Sequence, residues 1–435
     1  MKSVRLILFL FIILFGLLLS SAGHAEEYTI DTSEMEKKPY HLGGYAELRP
    51  LMFGLNKDSS LYKLMFYNQK KRNNTYEFNG TLQLEGSLDY GISRLYARTN
   101  TTYQKNYLGE TQSTILQEGY LSLKPSSSLK IDAGKKTLGW GKGYAWNPVA
   151  FMDRPKDPDD PELSREGYYM VSADYIKSFQ GPLKTLAFTP VLFPDYPHIN
   201  STYGTVNKMN YAAKLYFLLY DTDIDLIFFT GGSKSTRYGI DFSRNITTNL
   251  EIHGEFAWIN NYTKKYIDSS GNMLQKVYDA KSYLLGLRYL TEKDATYILE
   301  YYRNATGFSP SEMRDYFSFI NTGYNQYLAS GNTTLLNKAS SLTAGNYGKP
   351  NPMRDYLYLR VSQKEPFDIL YLTPAITFMT NISDKSTSIS PELVYTGITN
   401  LELRLKSIFL AGGGNSDFGE KQNAYKVELR ARYYF

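Results

Sequence analysis

Apolar and polar residues alternate one by one over long stretches of the chain. From 423 to 435 the odd positions are mostly apolar and end at Phe435, while the even positions between them are mostly charged. The charged positions are Lys426, Glu428, Arg430 and Arg432. From 75 to 90 the even positions are the apolar ones, and Tyr76 and Tyr90 stand at their two ends. A period of two predicts β-strands with one apolar face. Strands this long with a ring at each end are typical of a membrane barrel, and a half-buried strand of a soluble sandwich is the alternative.

Eighteen segments share this alternation, and sixteen strands are also compatible with the pattern. The segments are 42–55, 75–90, 92–104, 113–124, 128–137, 166–178, 183–193, 208–220, 223–232, 236–245, 250–260, 280–290, 295–303, 354–363, 368–381, 386–396, 400–410 and 423–435. An even number closes an antiparallel sheet and leaves no edge unpaired in lipid. Short connections mostly alternate with long ones, which predicts periplasmic turns and extracellular loops. The sequence therefore predicts an all-β fold, a transmembrane antiparallel barrel of about 18 strands.

The long segment 304–353 contains a helix-start pattern. Ser309 precedes Pro310, and Glu312 follows three residues after Ser309, as in a capping box. A short helix on an outer loop is one interpretation, and a disordered loop tip is the other.

The beginning of the chain has the three parts of an export signal. Lys2 and Arg5 precede the apolar run 6–19, and the small residues Gly23 and Ala25 follow. This predicts a signal peptide over 1–25, a periplasmic lead-in over 26–41 and a barrel over 42–435.

The composition agrees with export and excludes several classes of function. The chain has 40 Tyr, which suit two membrane–water interfaces, and no Cys, which excludes disulfides and thiolate metal sites. Near balance of acidic and basic residues gives no support for nucleic-acid binding. No phosphate loop, metal-ligand spacing or cofactor motif is present, so no cofactor is expected.

Two features resemble a known family. The chain end at Tyr433 and Phe435 resembles the terminal signal that outer-membrane barrels present to the insertion machinery. The segments Gly134-Lys135-Lys136, Trp140-Gly141 and Asn147-Pro148 resemble a pattern of porin-like barrels of Gram-negative bacteria, including groups related to alginate-export and substrate-specific porins. The resemblance implies a location in the cell outer membrane, contact with its lipids, and a loop after the fifth strand that folds inward and narrows the pore. It leaves a homo-oligomer open.

The same loop is acidic between 153 and 166. An acidic element at the pore constriction is one interpretation, a solvated surface loop is another, and a calcium site is a third because carboxylates suit hard cations. The predicted constriction residues are Trp140, Lys142, Asp153, Asp157, Asp159, Asp160 and Glu162.

The inward rows of several strands carry bases. These predicted pore-wall residues are Arg49, Arg94, Arg98, Arg360, Arg404, Lys406, Lys426, Arg430 and Arg432. A basic wall facing an acidic loop would set up a transverse field that selects polar or charged solutes. The alternative is that Arg–Glu pairs across strands only brace the lumen.

Catalytic patterns are weak. His253 lies between Glu251 and Glu255 on an inward row, with no convergent nucleophile in the spacing, so no enzyme is predicted. The expected function is a channel for passive diffusion of small polar or charged solutes. An exporter of an acidic polysaccharide and a non-conducting adhesion or scaffold barrel are the alternatives.

Overall fold

The computed structural model describes residues 38–435, so the predicted signal peptide and most of the lead-in lie outside the described residues. Eighteen strands form one antiparallel sheet in which β1 also pairs with β18, and the barrel is therefore closed. The strands are β1 Tyr40–Leu55, β2 Asn74–Tyr90, β3 Ser93–Asn106, β4 Gly109–Leu123, β5 Leu129–Lys136, β6 Tyr168–Ser178, β7 Leu183–Asp195, β8 Lys208–Leu219, β9 Thr222–Thr230, β10 Arg237–Thr247, β11 Leu250–Ile267, β12 Met273–Leu290, β13 Ala295–Arg303, β14 Asp355–Gln363, β15 Leu372–Asn381, β16 Ser386–Ile398, β17 Leu401–Ala411 and β18 Asn423–Tyr434. The predicted strand number and closure are confirmed.

The alternation along the strands separates two environments. On β2, Leu84 is 47% exposed on the outer face, whereas its neighbour Gln83 is 6% exposed on the inner face. The outer row continues across the pairing, since Leu84 lies opposite Thr99 of β3 and Gly44 of β1. Apolar side chains thus face outward and polar ones face the lumen, as the period of two predicts.

Connections differ at the two ends of the barrel. At one end the strands join through turns, for example 91–92 between β2 and β3 and 220–221 between β8 and β9. At the other end, 137–167 and 304–354 are long. We call these the turn end and the loop end.

Several strand boundaries differ from the sequence prediction. The segment 261–279, expected as a loop, is mostly strand, because β11 and β12 keep pairing from Tyr262 opposite Tyr278 to Ile267 opposite Met273. Its alternation is hidden by polar residues on both faces, such as Lys264 and Lys265. β1 begins at Tyr40, inside the expected lead-in, and β15 begins only at Leu372, after a 3₁₀ turn.

Helices cover part of the loop end. They are α1 Ser60–Phe66, α2 Pro310–Ser330 and α3 Thr334–Leu342, followed by a π-helical turn at 343–347. α2 starts with the predicted capping box, in which Ser309 and Glu312 each accept a bond from the other's backbone N–H. At 21 residues it is longer than the short helix expected. In the described part of the chain, no helix is long and apolar enough to cross a membrane.

Candidate functional site

The connection between β5 and β6, residues 137–167, folds into the barrel, and we call it the inner loop. Its first turn closes on Asp153, whose carboxylate accepts the backbone N–H groups of Leu138, Gly139 and Trp140 at 2.8, 2.9 and 3.2 Å. Gly141 has a φ of +94°, and a Cβ there would lie 2.8 Å from both the Asn147 side chain and Glu255. The glycine of the Trp-Gly motif is therefore required by close approach to the wall.

Glu255 of β11 anchors the middle of the inner loop. Its carboxylate accepts the backbone N–H groups of Lys142 and Gly143 at 2.6 Å, that of Val149 at 3.2 Å, and the side-chain amide of Asn147 at 3.0 Å. The residue is 3% exposed. Four donors converging on one buried carboxylate fix the backbone of the loop against the wall.

Glu300 of β13 forms a second anchor beside the first. Its carboxylate accepts the backbone N–H groups of Tyr144 and Ala145, the latter at 2.9 Å. His253 of β11 lies 2.9 Å from the same carboxylate through Nε2. Both Glu300 and His253 are buried. His253 thus supports a structural anchor of the loop.

The predicted constriction residues Trp140 and Lys142 also lie on this side. Lys142 Nζ is 3.1 Å from Asp225 of β9 and 3.9 Å from Asp241 of β10. Trp140 is buried in an apolar cluster with Val149, Phe151 and residues of the β6–β11 wall. Together with Asp153, these residues hold the loop in place; Trp140 is buried, and Lys142 is partly exposed.

Across the lumen, the acidic part of the inner loop meets the basic wall. Asp160 lies 3.0 Å from Arg404 of β17 and 3.4 Å from Arg430 of β18, and Lys406 Nζ donates to the carbonyl oxygen of Asp159. Burial alone would raise the pKa of Asp160, but the two guanidinium groups outweigh it and hold the pKa below its usual value.

Three other loop carboxylates remain without a basic side chain in the described residues. Asp157, Asp159 and Glu162 form no ion pair within 4.0 Å, and Asp157 and Glu162 are exposed. Glu162 accepts the Tyr144 hydroxyl at 3.2 Å. Within residues 38–435, no three His, Asp or Glu side chains lie together as a metal site.

Most of the predicted wall bases lie within 4.0 Å of a carboxylate. The carboxylate is on a neighbouring strand, except that the partner of Arg360 is two strands away and the partner of Lys426 is on its own strand. Representative distances are 2.7 Å for Arg432–Glu47, 2.7 Å for Arg430–Glu402, 2.9 Å for Arg360–Glu392, 3.0 Å for Arg98–Glu85, 3.7 Å for Lys426–Glu428 and 3.6 Å for Lys406–Glu392. Arg94 lies apart at the turn end, 3.6 Å from Asp89, and Arg49 is half-buried on β1. The structure therefore shows both the basic wall facing the loop and the bracing pairs.

The wall at β3 and β4 is not covered by the loop. Thr102, Thr111, Ser113 and Ile115 belong to the inner face, and all four are exposed. Farther toward the turn end, a cavity of about 540 Å³ is lined by residues including Arg94, Tyr120 and Lys130. One solvent-accessible part of the lumen thus lies along β3 and β4.

Sequence reasoning missed the two anchors. The alternation puts Glu255 on the inward row of its strand but identifies no partner for it, and the sequence prediction does not include Glu300. A signal for Glu300 is present, since it is the one acid in the apolar strand β13, Ala295–Arg303. Its partners are backbone groups of residues 144 and 145, which no spacing identifies.

Comparison with solved structures defines the class of fold. OpdQ of Pseudomonas aeruginosa matches with a TM-score of 0.51 and 11% identity over 91% of this chain and 98% of its own. OccK2 (OpdF) of the same organism, solved in complex with glucuronate, matches with a TM-score of 0.50 and 11% identity over the same shares. OccK11 (OpdR), also from this organism, gives 0.50 and 11% over 91% and 95%. No protein-family model and no curated protein sequence matches the chain.

These neighbours are substrate-specific porins. The chain has the closed 18-stranded fold of outer-membrane porins, and the predicted fold class is confirmed. In this class the turn end is periplasmic and the loop end is extracellular.

Proposed function

We propose that this chain is a passive diffusion channel of the cell outer membrane for small polar or charged solutes. The observation that carries the proposal is the inner loop, which crosses the lumen from β9–β13 to β17–β18 and leaves an exposed polar wall at β3 and β4. A solute passing there meets free carboxylates of the loop on one side and braced bases on the other.

The charges at the constriction favour polar solutes, but they do not select between cations and anions. Asp157 and Glu162 are exposed on the loop, and Arg98 on the β3 wall is partly exposed between Glu85 and Glu118. Opposed charges across a narrow wet gap orient dipolar and ionic solutes. The glucuronate bound by OccK2, one neighbour in fold, supports solutes of this size.

The alternatives fit less well. An exporter of an acidic polymer would need a continuous row of free bases, whereas most wall bases are paired with carboxylates. A scaffold barrel would need a filled lumen, whereas the inner face of β3 and β4 is exposed. Contacts with lipid, insertion by the barrel machinery and homo-oligomerisation remain predictions.

Single-channel recording tests the channel directly. The mature protein, refolded into a planar bilayer under a salt gradient, is compared with a variant lacking residues 144–165. Circular dichroism of both proteins verifies that the barrel has formed. We expect steady conductance in the wild type, and a larger conductance with a shifted reversal potential in the variant. Silence from both folded proteins would overturn the proposal.

A further inference from the structure

A second cavity lies at the loop end, above the acidic part of the inner loop. It has a volume of about 400 Å³, within the range of small-molecule sites, and is bordered by α1, the segment after α3 and strands β1, β17 and β18. Much of its wall is apolar. The apolar lining includes Phe53, Leu61, Leu64, Ile408, Leu410 and Phe418.

Four charged residues also border this cavity, and only the two basic ones form ion pairs with residues of opposite charge. Lys421 is 3.2 Å from Asp417, and Lys426 is 3.7 Å from Glu428, and neither acid lines the cavity. Asp157 and Asp159 line it too, but within residues 38–435 neither has a Lys or Arg nitrogen within 4.0 Å of its carboxylate. Each of the two bases is therefore paired with an acid outside the cavity, while neither carboxylate forms an ion pair.

The environment of Asp157 agrees with an excess of negative charge. Although the Asp157 side chain is open to the cavity, the protein around it displaces water from the carboxylate. This desolvation, together with the neighbouring Asp159 and Asp160, raises the pKa of Asp157 above its usual value, and Lys426 opposes the shift. A bound cation would relieve that repulsion. An anion would add to it, and a bare metal ion would gain nothing from the apolar wall.

We propose that this cavity binds small amphipathic monocations, namely amines with an aliphatic or aromatic body, before they pass the constriction. The ammonium group donates charge-assisted hydrogen bonds to Asp157 and Asp159. The apolar body lies against Phe53, Ile408 and Leu410, where its contact with water is removed. The inference rests on the proposed channel for its role in transport, but the binding itself does not require conduction.

Calorimetry of the full-length mature protein in detergent tests the binding, with phenethylammonium as the probe. Phenylacetate and 2-phenylethanol serve as anionic and neutral probes of similar shape. We expect saturable binding of phenethylammonium only, weakened at least tenfold by the double variant Asp157→Asn with Asp159→Asn. Asp58→Asn, an exposed acid at the same end outside the cavity, is the matched control and retains the affinity. Phe53→Gln should also weaken binding, because it removes part of the apolar wall.

The outcomes separate this inference from the channel proposal. Equal binding of phenylacetate, or no loss of affinity in the double variant, overturns the cation site. In the bilayer, phenethylammonium added from the loop end should give current blockades that the double variant shortens. Binding by a silent protein would overturn the channel and keep the site, whereas a conducting protein without saturable binding would overturn the site alone.

Discussion

The inner loop contacts the barrel wall on two opposite sides of the lumen, and the chemical groups that form the contact differ between the two sides. On the β9–β13 side, buried carboxylates of the wall accept backbone N–H groups of the loop, as Glu255 and Glu300 do. On the β17–β18 side, carboxylates of the loop meet bases of the wall, as Asp160 meets Arg404 and Arg430. The first contact fixes where the backbone lies, whereas the second sets the charge that borders the lumen.

The energies of the two contacts also differ. A buried donor left without its acceptor costs about 1–3 kcal/mol, so the loss of a carboxylate that serves four donors is large. The ion pair of Asp160 with Arg404 is largely removed from water, and the cost of removing the two charges from water offsets much of their attraction, so its net contribution should be roughly 1 kcal/mol. We therefore expect the anchors to govern stability and the ion pairs to govern selectivity.

The largest effect is expected from Glu255→Ala. Four loop donors lose their buried acceptor, so the free energy of unfolding should fall by about 3 kcal/mol or more. The released loop should expose Lys142, Lys156 and Arg165 to trypsin and raise the conductance. Urea titration and limited proteolysis measure both changes.

Glu255→Gln is the matched control for this change. Its remaining carbonyl oxygen retains the acceptor for Lys142, Gly143 and Asn147, while the amide faces the Val149 N–H. Its effect should be clearly smaller. An Ala variant as resistant to trypsin as the wild type would show that Glu255 does not hold the loop.

A smaller loss is expected from Glu300→Gln. The amide can serve only one of the two acceptor positions that face Tyr144, Ala145 and His253. We expect the free energy of unfolding to fall by about 1–2 kcal/mol, with partial sensitivity of the loop to trypsin. Glu251 lies on the same inward row of β11 as His253 but forms no hydrogen bond to the loop, so Glu251→Gln should leave the loop resistant to trypsin.

The unequal predictability of the two contacts has a physical cause. Alternation identifies which strand residues face the lumen. The basic wall and the acidic loop carry opposite charges, which attract each other. The sequence prediction therefore includes both Asp160 and Arg430. The anchors join wall carboxylates to backbone N–H groups more than 100 residues away. Because every residue except proline has a backbone N–H, the sequence does not show which of these groups is the donor. For the same reason the strand number was predictable from the period of two, whereas the extension of β11 and β12 through polar residues was not.

On the basic side, Asp160→Asn and Arg404→Gln should change selectivity in opposite directions. Removal of the carboxylate makes the lumen less attractive to cations, and removal of the guanidinium makes it less attractive to anions. Reversal potentials under a salt gradient measure both shifts. The double variant should return near the wild-type value, and unfolding titrations of all four proteins should give a coupling of about 1 kcal/mol. Shifts of the same sign would contradict the assignment of the pair to the pore.

The smallest effect concerns a lysine in the connection between β9 and β10, at the loop end. Lys234 Nζ lies 3.5 Å from the ring centre of Tyr203, and burial, with Arg237 and Lys349 nearby, lowers the pKa of Lys234 to about 7. In the unfolded chain a lysine titrates near its ordinary pKa of about 10.4. Between these values the unfolded chain binds a proton that the folded protein does not, so stability should rise with pH above 7.

Partial exposure of Lys234 screens its charge, so the rise should stay below about 1 kcal/mol per pH unit. Lys234→Met should remove it, and Lys57→Met, an exposed lysine at the same end, should not. Urea titrations at pH 7 and 8 measure the slope for each protein. A wild-type slope equal to that of Lys234→Met would mean that this lysine stays charged in the folded protein, as Arg404 and Arg430 do at β17 and β18.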